Sequence, residues 1–145
     1  MGVLFNFEAI DVRSTVVKTR RFFQNDVPQL EQLAGLAVNE ALSSPRMDND
    51  VKTTTTSNQA EMTIIKSVDA RREIRLIAKA IHRCSPRSQR LLIGQYFKKL
   101  TGWQLAQQLA VGHTALDKYK REALIEFANC YAGCGRDIRV KVPKQ

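Results

Sequence analysis

The chain has 145 residues, of which 43% are hydrophobic and 26% charged, and a formal net charge of +9. That length suits one domain around one core, and the composition excludes a disordered or fibrous chain. No apolar run reaches the ~18 residues of a spanning helix, and the opening MGVLFNFEAIDVRST lacks a basic region followed by an apolar one, so neither a membrane partner nor a signal peptide is expected.

Residues 1–10 are short and apolar and read as an extended arm. Asp11 is placed to cap a helix over about Val12–Gln24, where Val12, Val16, Val17 and Phe23 fall at roughly helical spacing and Arg13, Lys18, Arg20 and Arg21 face out. Asn25-Asp26-Val27-Pro28 reads as a stop followed by a start. The second helix, about Pro28–Leu42, carries Leu30, Leu33, Ala34, Ala37, Val38 and Ala41. Gly35 falls inside it, at a cost of about 1 kcal/mol relative to Ala. Residues 1–44 thus form an N-terminal helical hairpin too small to hold a core alone. The polar, Thr-rich residues 45–60 bury too little to offset chain entropy and read as a flexible linker.

Helical spacing resumes over Glu61–Arg83 with Met62, Ile65, Val68, the aliphatic stem of Arg72, Ile74, Ile77, Ala78 and Ile81. Ser85 and Pro86 then cap and open a helix over about Pro86–Lys99, with Leu91, Leu92, Gln95 and Tyr96 near one face. Thr101 caps a short helix, Trp103–Leu109. A break at Ala110-Val111-Gly112 follows, and a long helix runs from His113 past Phe127 until Gly133 and Gly135 end it. Residues 61–135 form the C-terminal helical domain, and residues 136–145 a basic tail in which Arg139–Val142 is a short extended piece. No strand-like alternation of useful length occurs, so the fold class is all-α.

Short helix, three-residue turn and longer basic helix make the grammar of a helix-turn-helix. Ala106 supplies the small residue that lets the two helices approach, and Ala110 the small residue of the turn. Leu105, Leu109, Val111, Leu116 and Tyr119 form the core between them, continued by Ala123, Leu124 and Phe127. The outward positions then carry the recognition. His113, Thr114, Asp117 and Lys118, in the first turns, are the expected base readers. Lys120 and Arg121 are expected on phosphates, and Thr101, Trp103 and Gln104 on the backbone beside the amides that open the first helix. For Trp103 a place in the core is the favoured alternative.

Charge agrees with this reading. Residues 1–60 hold six Lys/Arg against seven Asp/Glu, and residues 61–145 hold seventeen against seven. A basic half suits a polyanion, most often nucleic acid, although a merely solubilising charge looks the same. Cys84, Cys130 and Cys134 are an odd set that suits reduced thiols. With His82 they match no zinc-finger spacing, and no metal or cofactor is expected. The chain has no paired carboxylates, no Gly-rich phosphate loop and no Ser/His/Asp set in context, so an enzyme is not expected.

Three features carry a family resemblance. They are Tyr96-Phe97-Lys98-Lys99, then Trp103 with Leu109, and the run KREALIEFA from Lys120 to Ala128. Together with AIDVRSTVVKTRRFF (9–23) and the Ser85-Pro86-Arg87-Ser88 turn, they resemble the ArpU family of phage-type transcriptional regulators, which are similar to region 4 of sigma factors. Where members carry Ser and Tyr at the start of the recognition helix, this chain has Gly112, His113, Ala115 and Leu116, so no target sequence is carried over. The resemblance implies a cytoplasmic regulator in a bacterial host, acting on phage late or cell-lysis genes. The leading expectation is a sequence-specific activator that binds promoter double-stranded DNA, contacts RNA polymerase and pairs as a homodimer. The alternatives are a small-terminase-like DNA-packaging protein, and a polymerase-binding module that never touches DNA.

Overall fold

Asp11 opens the first helix as its sequence context demands. Its carboxylate accepts from the Ser14 N–H at 3.1 Å and from the Ser14 hydroxyl at 2.9 Å, and α1 (Val12–Arg21) follows. In this computed structural model, residues 9–43 and 58–142 are described, so most of the expected linker, most of the expected N-terminal arm and the last three residues of the tail lie outside the described residues. Among the described residues the secondary structure is helical, apart from an isolated antiparallel bridge between Ile10 and Lys141.

The expected stop at residues 25–28 does not occur. A π-helical turn, Phe22–Asp26, leads directly into α2 (Val27–Ala34). A proline inside an α-helix lacks one donor, and its ring collides with the carbonyl four residues back. The wider turn removes that conflict: Val27 donates five residues back to the Phe22 carbonyl, and Pro28 falls in the first turn of α2. The true break is at Gly35, in the left-handed region at φ +61°, where it ends α2 instead of lying inside a helix. Glu31 then accepts from the Val38 N–H at 2.9 Å, at the start of α3 (Val38–Ser43). The expected hairpin, with its turn at 25–28, is therefore replaced by one long helical stretch and a short helix.

The buried face of α1 also differs from the expected one. Val16, Phe22 and Phe23 are buried, with Thr15 and Thr19, whereas Val12, Val17 and Leu33 are exposed. Both short N-terminal elements dock on α4 (Asn58–Arg83). Arg71 donates to the Ala34 carbonyl at 2.8 Å, and His82 Nε2 lies 3.1 Å from the Leu42 carbonyl, so α4 satisfies the C-terminal ends of α2 and α3. Ile74, Ile77 and Ile81 form its buried stripe, while Arg72, expected to lay its stem on the core, is exposed.

After Ser85 come α5 (Pro86–Leu92), a second π-helical turn (Ile93–Phe97), α6 (Gly102–Leu109) and α7 (His113–Gly133). Phe127 of α7 is fully buried, with its ring 4.6 Å from Phe23 and 6.1 Å from Phe22. Phe23 stacks on Tyr96 of the second π-helical turn at 4.7 Å. One core thus joins the helices on both sides of residues 44–57.

Glu126 of α7 holds α5 in place. It accepts from the Ser85 N–H, from the Ser85 hydroxyl at 3.1 Å and from the Ser88 hydroxyl at 2.7 Å. Arg87 lies 3.7 Å over the Tyr119 ring and 3.4 Å from the Glu122 carboxylate. The tail returns to α1: Asp11 N–H donates to the Val140 carbonyl at 2.8 Å, and Val140 N–H to the Thr15 hydroxyl at 3.0 Å. Asp137 gathers Arg139 at 2.9 Å and Lys141 at 3.2 Å, so the expected extended piece Arg139–Val142 is present and its charges are engaged.

Two outcomes follow from these contacts. Glu126→Ala leaves three donors at the start of α5 without their acceptor and should lower unfolding stability by about 2 kcal/mol in urea titrations. Asp137 is held below the ordinary carboxylate value of 3.8 chiefly by Arg139, and Asp11 by the Ser14 N–H. A lowered folded pKa stabilises above the ordinary value and is lost as pH falls below it. Hydrogen-exchange protection of the Val140 and Val142 amides should therefore fall below about pH 4, ahead of amides in α4 and α7.

Candidate nucleic-acid interface

α6 is short, and its ends are set by local chemistry. Thr101 and Gln104 form a reciprocal capping box: the Thr101 hydroxyl accepts from the Gln104 N–H at 3.1 Å, and the Gln104 side chain accepts from the Thr101 N–H at 2.8 Å. Leu105 N–H is bonded to the Thr101 carbonyl at 3.0 Å. The amides of Gly102 and Trp103 are then the ones that the first turn leaves for an outside acceptor. Ala110 ends the helix in the left-handed region at φ 55° and ψ 46°, and Val111 N–H donates back to the Ala106 carbonyl at 3.0 Å. Gly112 is extended, and its carbonyl takes the Leu116 N–H at 2.9 Å to start α7.

The wedge between the two helices is apolar, as its spacing predicts. Leu105 and Leu116 are each 1% exposed, Ala106 is buried, and Leu109, Val111 and Tyr119 pack against them. Gly94 sets how closely α6 can sit, because a Cβ there would lie 2.6 Å from the Leu105 side chain. That constraint has no local sequence signal.

The site residues separate cleanly. Thr101, Trp103, Gln104, His113, Thr114, Asp117, Lys118 and Arg121 are exposed. At 100° per residue, His113, Thr114, Asp117, Lys118 and Arg121 share one face of α7. Lys120 lies at the edge of that face, about 20° beyond His113, and is half-buried. Lys118, Lys120 and Arg121 have no ion-pair partner among the described residues.

Trp103 overturns the core reading, since it is 66% exposed. The core-facing stripe of α6 is Leu105, Ala106 and the half-buried Leu109, and position 103 points more than a quarter-turn away from its centre. The indole borders an open groove of about 610 Å³, floored by Ala106 and Val111 and edged by Gln107 and His113. Gln107, one turn after Trp103, is an additional polar group that the sequence reading passed over, although its helical spacing placed it beside Trp103.

The thiols take no part in this surface. Cys84 is buried and donates to the Ala80 carbonyl at 3.4 Å, and burial pushes its pKa well above the ordinary value. Among the described residues no three His, Cys, Asp or Glu side chains converge as a metal requires. No protein-family model matches the chain, nor does any curated protein or solved structure.

The turn makes its own prediction. A non-glycine residue in the left-handed region costs roughly 1–2 kcal/mol. Ala110→Gly removes that cost and adds some unfolded-state entropy, so thermal unfolding should show a net gain of about 1 kcal/mol or less.

Proposed function

We propose that the chain is a sequence-specific double-stranded DNA-binding transcription regulator whose α7 enters the major groove by its first turns. The observation that carries this reading is the single exposed polar face of His113, Thr114, Asp117, Lys118 and Arg121, on a helix braced against α6 by a three-residue turn. A major groove about 12 Å wide admits one helix, and the side chains in its first turns meet base edges. His113, Thr114, Asp117 and Lys118 carry donors and acceptors suited to that role. Arg121 and the flanking Lys120 are placed for phosphates, which fix position without reading sequence. The exposed edge of Trp103 and the Gly102 and Trp103 amides face the strand that borders the groove.

The likeness of KREALIEFA and its neighbours to ArpU-type regulators extends the reading to activation of phage late or cell-lysis genes through RNA polymerase, in the bacterial cytoplasm. In a symmetric dimer the two α7 first turns sit about 34 Å apart, or a multiple of that, and bind a palindromic site.

A footprint on DNA upstream of the gene tests the proposal. A protected site of defined sequence is expected, and uniform binding without a footprint would remove sequence specificity. Arg121→Ala should weaken binding to all sequences and lower the slope of log K against log salt by about 0.9. His113→Ala or Asp117→Ala should instead relax base preference at one position by about 1–3 kcal/mol.

A further inference from the structure

Counted over residues 1–60, the N-terminal half is slightly acidic, and that sum hides a strongly basic element. α1, VRSTVVKTRR, carries Arg13, Lys18, Arg20 and Arg21 and no acidic residue. All four side chains are exposed. Arg20 lies beside the Tyr96 hydroxyl. The other three line an open groove of about 480 Å³ with Ser14 and the half-exposed Val17. A cationic face raises local potential and draws a polyanion.

The position of α1 on α7 gives this face a direction. His113, Asp117, Arg121, Leu124, Ala128 and Tyr131 recur every three or four residues and form one stripe along α7. The stripe is exposed as far as Arg121 and buried from Leu124 onward. The opposite face, through Tyr119, Glu122 and Glu126, is held by α5. α1 packs on α7, and Phe22 at its end lies against Phe127 and Tyr131, so α1, together with α4 whose Glu73 accepts from the Tyr131 hydroxyl, covers the late half of the stripe whose early half is the candidate reading face. Its own outward face therefore points to the same side of the molecule. Arg121 and Tyr131 are ten residues apart, about 15 Å along the helix.

We infer that the basic face of α1 is a second DNA-contacting surface, in which Arg13, Lys18 and Arg21 grip phosphates flanking the groove that α7 reads. The inference rests on the DNA-binding reading above. The cations neutralise phosphate oxygens, and Val17 lies against the sugar edge. The contact adds affinity and orientation but no base preference. The favoured ligand is duplex DNA rather than an acidic protein, because the patch shares a side with the polar face of α7.

The test is a salt titration of binding by the full chain to the footprinted duplex or, if no footprint is found, to a mixed-sequence 30-base-pair duplex. The variant Arg13→Gln/Lys18→Gln/Arg21→Gln should reduce the salt slope by about two to three and affinity roughly tenfold or more near 0.1 M salt, with base preference intact. Lys79→Gln, at an exposed lysine of α4 outside both proposed surfaces, should leave the slope unchanged. Because the three side chains are exposed, the variant should keep its helical circular dichroism and unfolding midpoint. Arg13→Lys/Arg21→Lys, which keeps the charge, should bind like the parent. A triple variant with the parent's slope and affinity overturns the second surface and leaves the α7 reading standing; so does one that loses only an acidic protein partner. A parent chain that binds no duplex even at low salt overturns both.

Discussion

The structure depends on the packing of Phe127 against Phe22 and Phe23. These rings come from elements separated by about a hundred residues, and they meet where two widened helical turns face each other. The first turn places two consecutive aromatics, Phe22 and Phe23, on the buried side. A regular α-helix turns neighbouring side chains 100° apart, and the extra residue of the π-helical turn also lets the chain pass Pro28 without a break. The second turn presents Tyr96 to stack on Phe23. Aromatic pairs add about 0.5–1.5 kcal/mol beyond the area they bury, and here one cluster serves the N-terminal helices, the approach to α6 and the body of α7. Loss of this junction would separate the basic helix α1 from α7 and free the segment that carries α6.

From that junction outward, polar contacts orient what the apolar core merely gathers. Glu126 fixes the start of α5, and Arg87 ties the same helix to Glu122 and Tyr119, one and two turns earlier on α7. These surface contacts are individually weak, but they are aligned along one helix face. They hold α5 in register with α7, so the π-helical turn that follows delivers Gly94 beneath Leu105. The angle of α6, and with it the exposure of Trp103 and the left-handed turn at Ala110, is then set from below rather than by the turn alone.

Much of the local architecture was legible because caps and breaks are short-range chemistry. Asp11 with Ser14 and Thr101 with Gln104 announce helix starts through groups three residues away, Pro86 marks the start of α5 although the Ser85 hydroxyl turns to Glu126 and Ser88 instead of capping the helix, and the Ala110–Gly112 break lies where small residues interrupt the apolar period. The same rules misplaced the N-terminal turn. A proline signals a helix start and also a kinked continuation, and only the distant partner of Phe23 distinguishes the two. Gly35 read as a tolerated interior glycine because its left-handed backbone is set by the docking of α2 and α3 on α4. Thr15 and Thr19 are buried in place of Val12 and Val17 because α1 must meet both α7 and the returning tail, whose Val140 amide needs the Thr15 hydroxyl. On the candidate site, the face of α7 followed from helical period. The exposure of Trp103 required the actual orientation of α6, and the position of α1 beside that face is a tertiary fact that charge counting by halves conceals.

The chemistry of α7 follows from its dual position. In its first turns, packing on α5 and α6 occupies one face and leaves the other to solvent, so His113, Asp117 and Arg121 keep their polar groups hydrated. From Leu124 onward that second face is covered as well, and the residues there become small or apolar. A charge placed at Ala128 would be buried without a partner, which costs several kcal/mol, whereas charges at Lys118 or Arg121 cost little in the free protein. The hydrated half of the helix is therefore free to carry whatever groups a ligand selects, and the buried half fixes their position with the rigidity of the core. Recognition and stability occupy successive turns of one helix, and the boundary between them falls between Arg121 and Leu124.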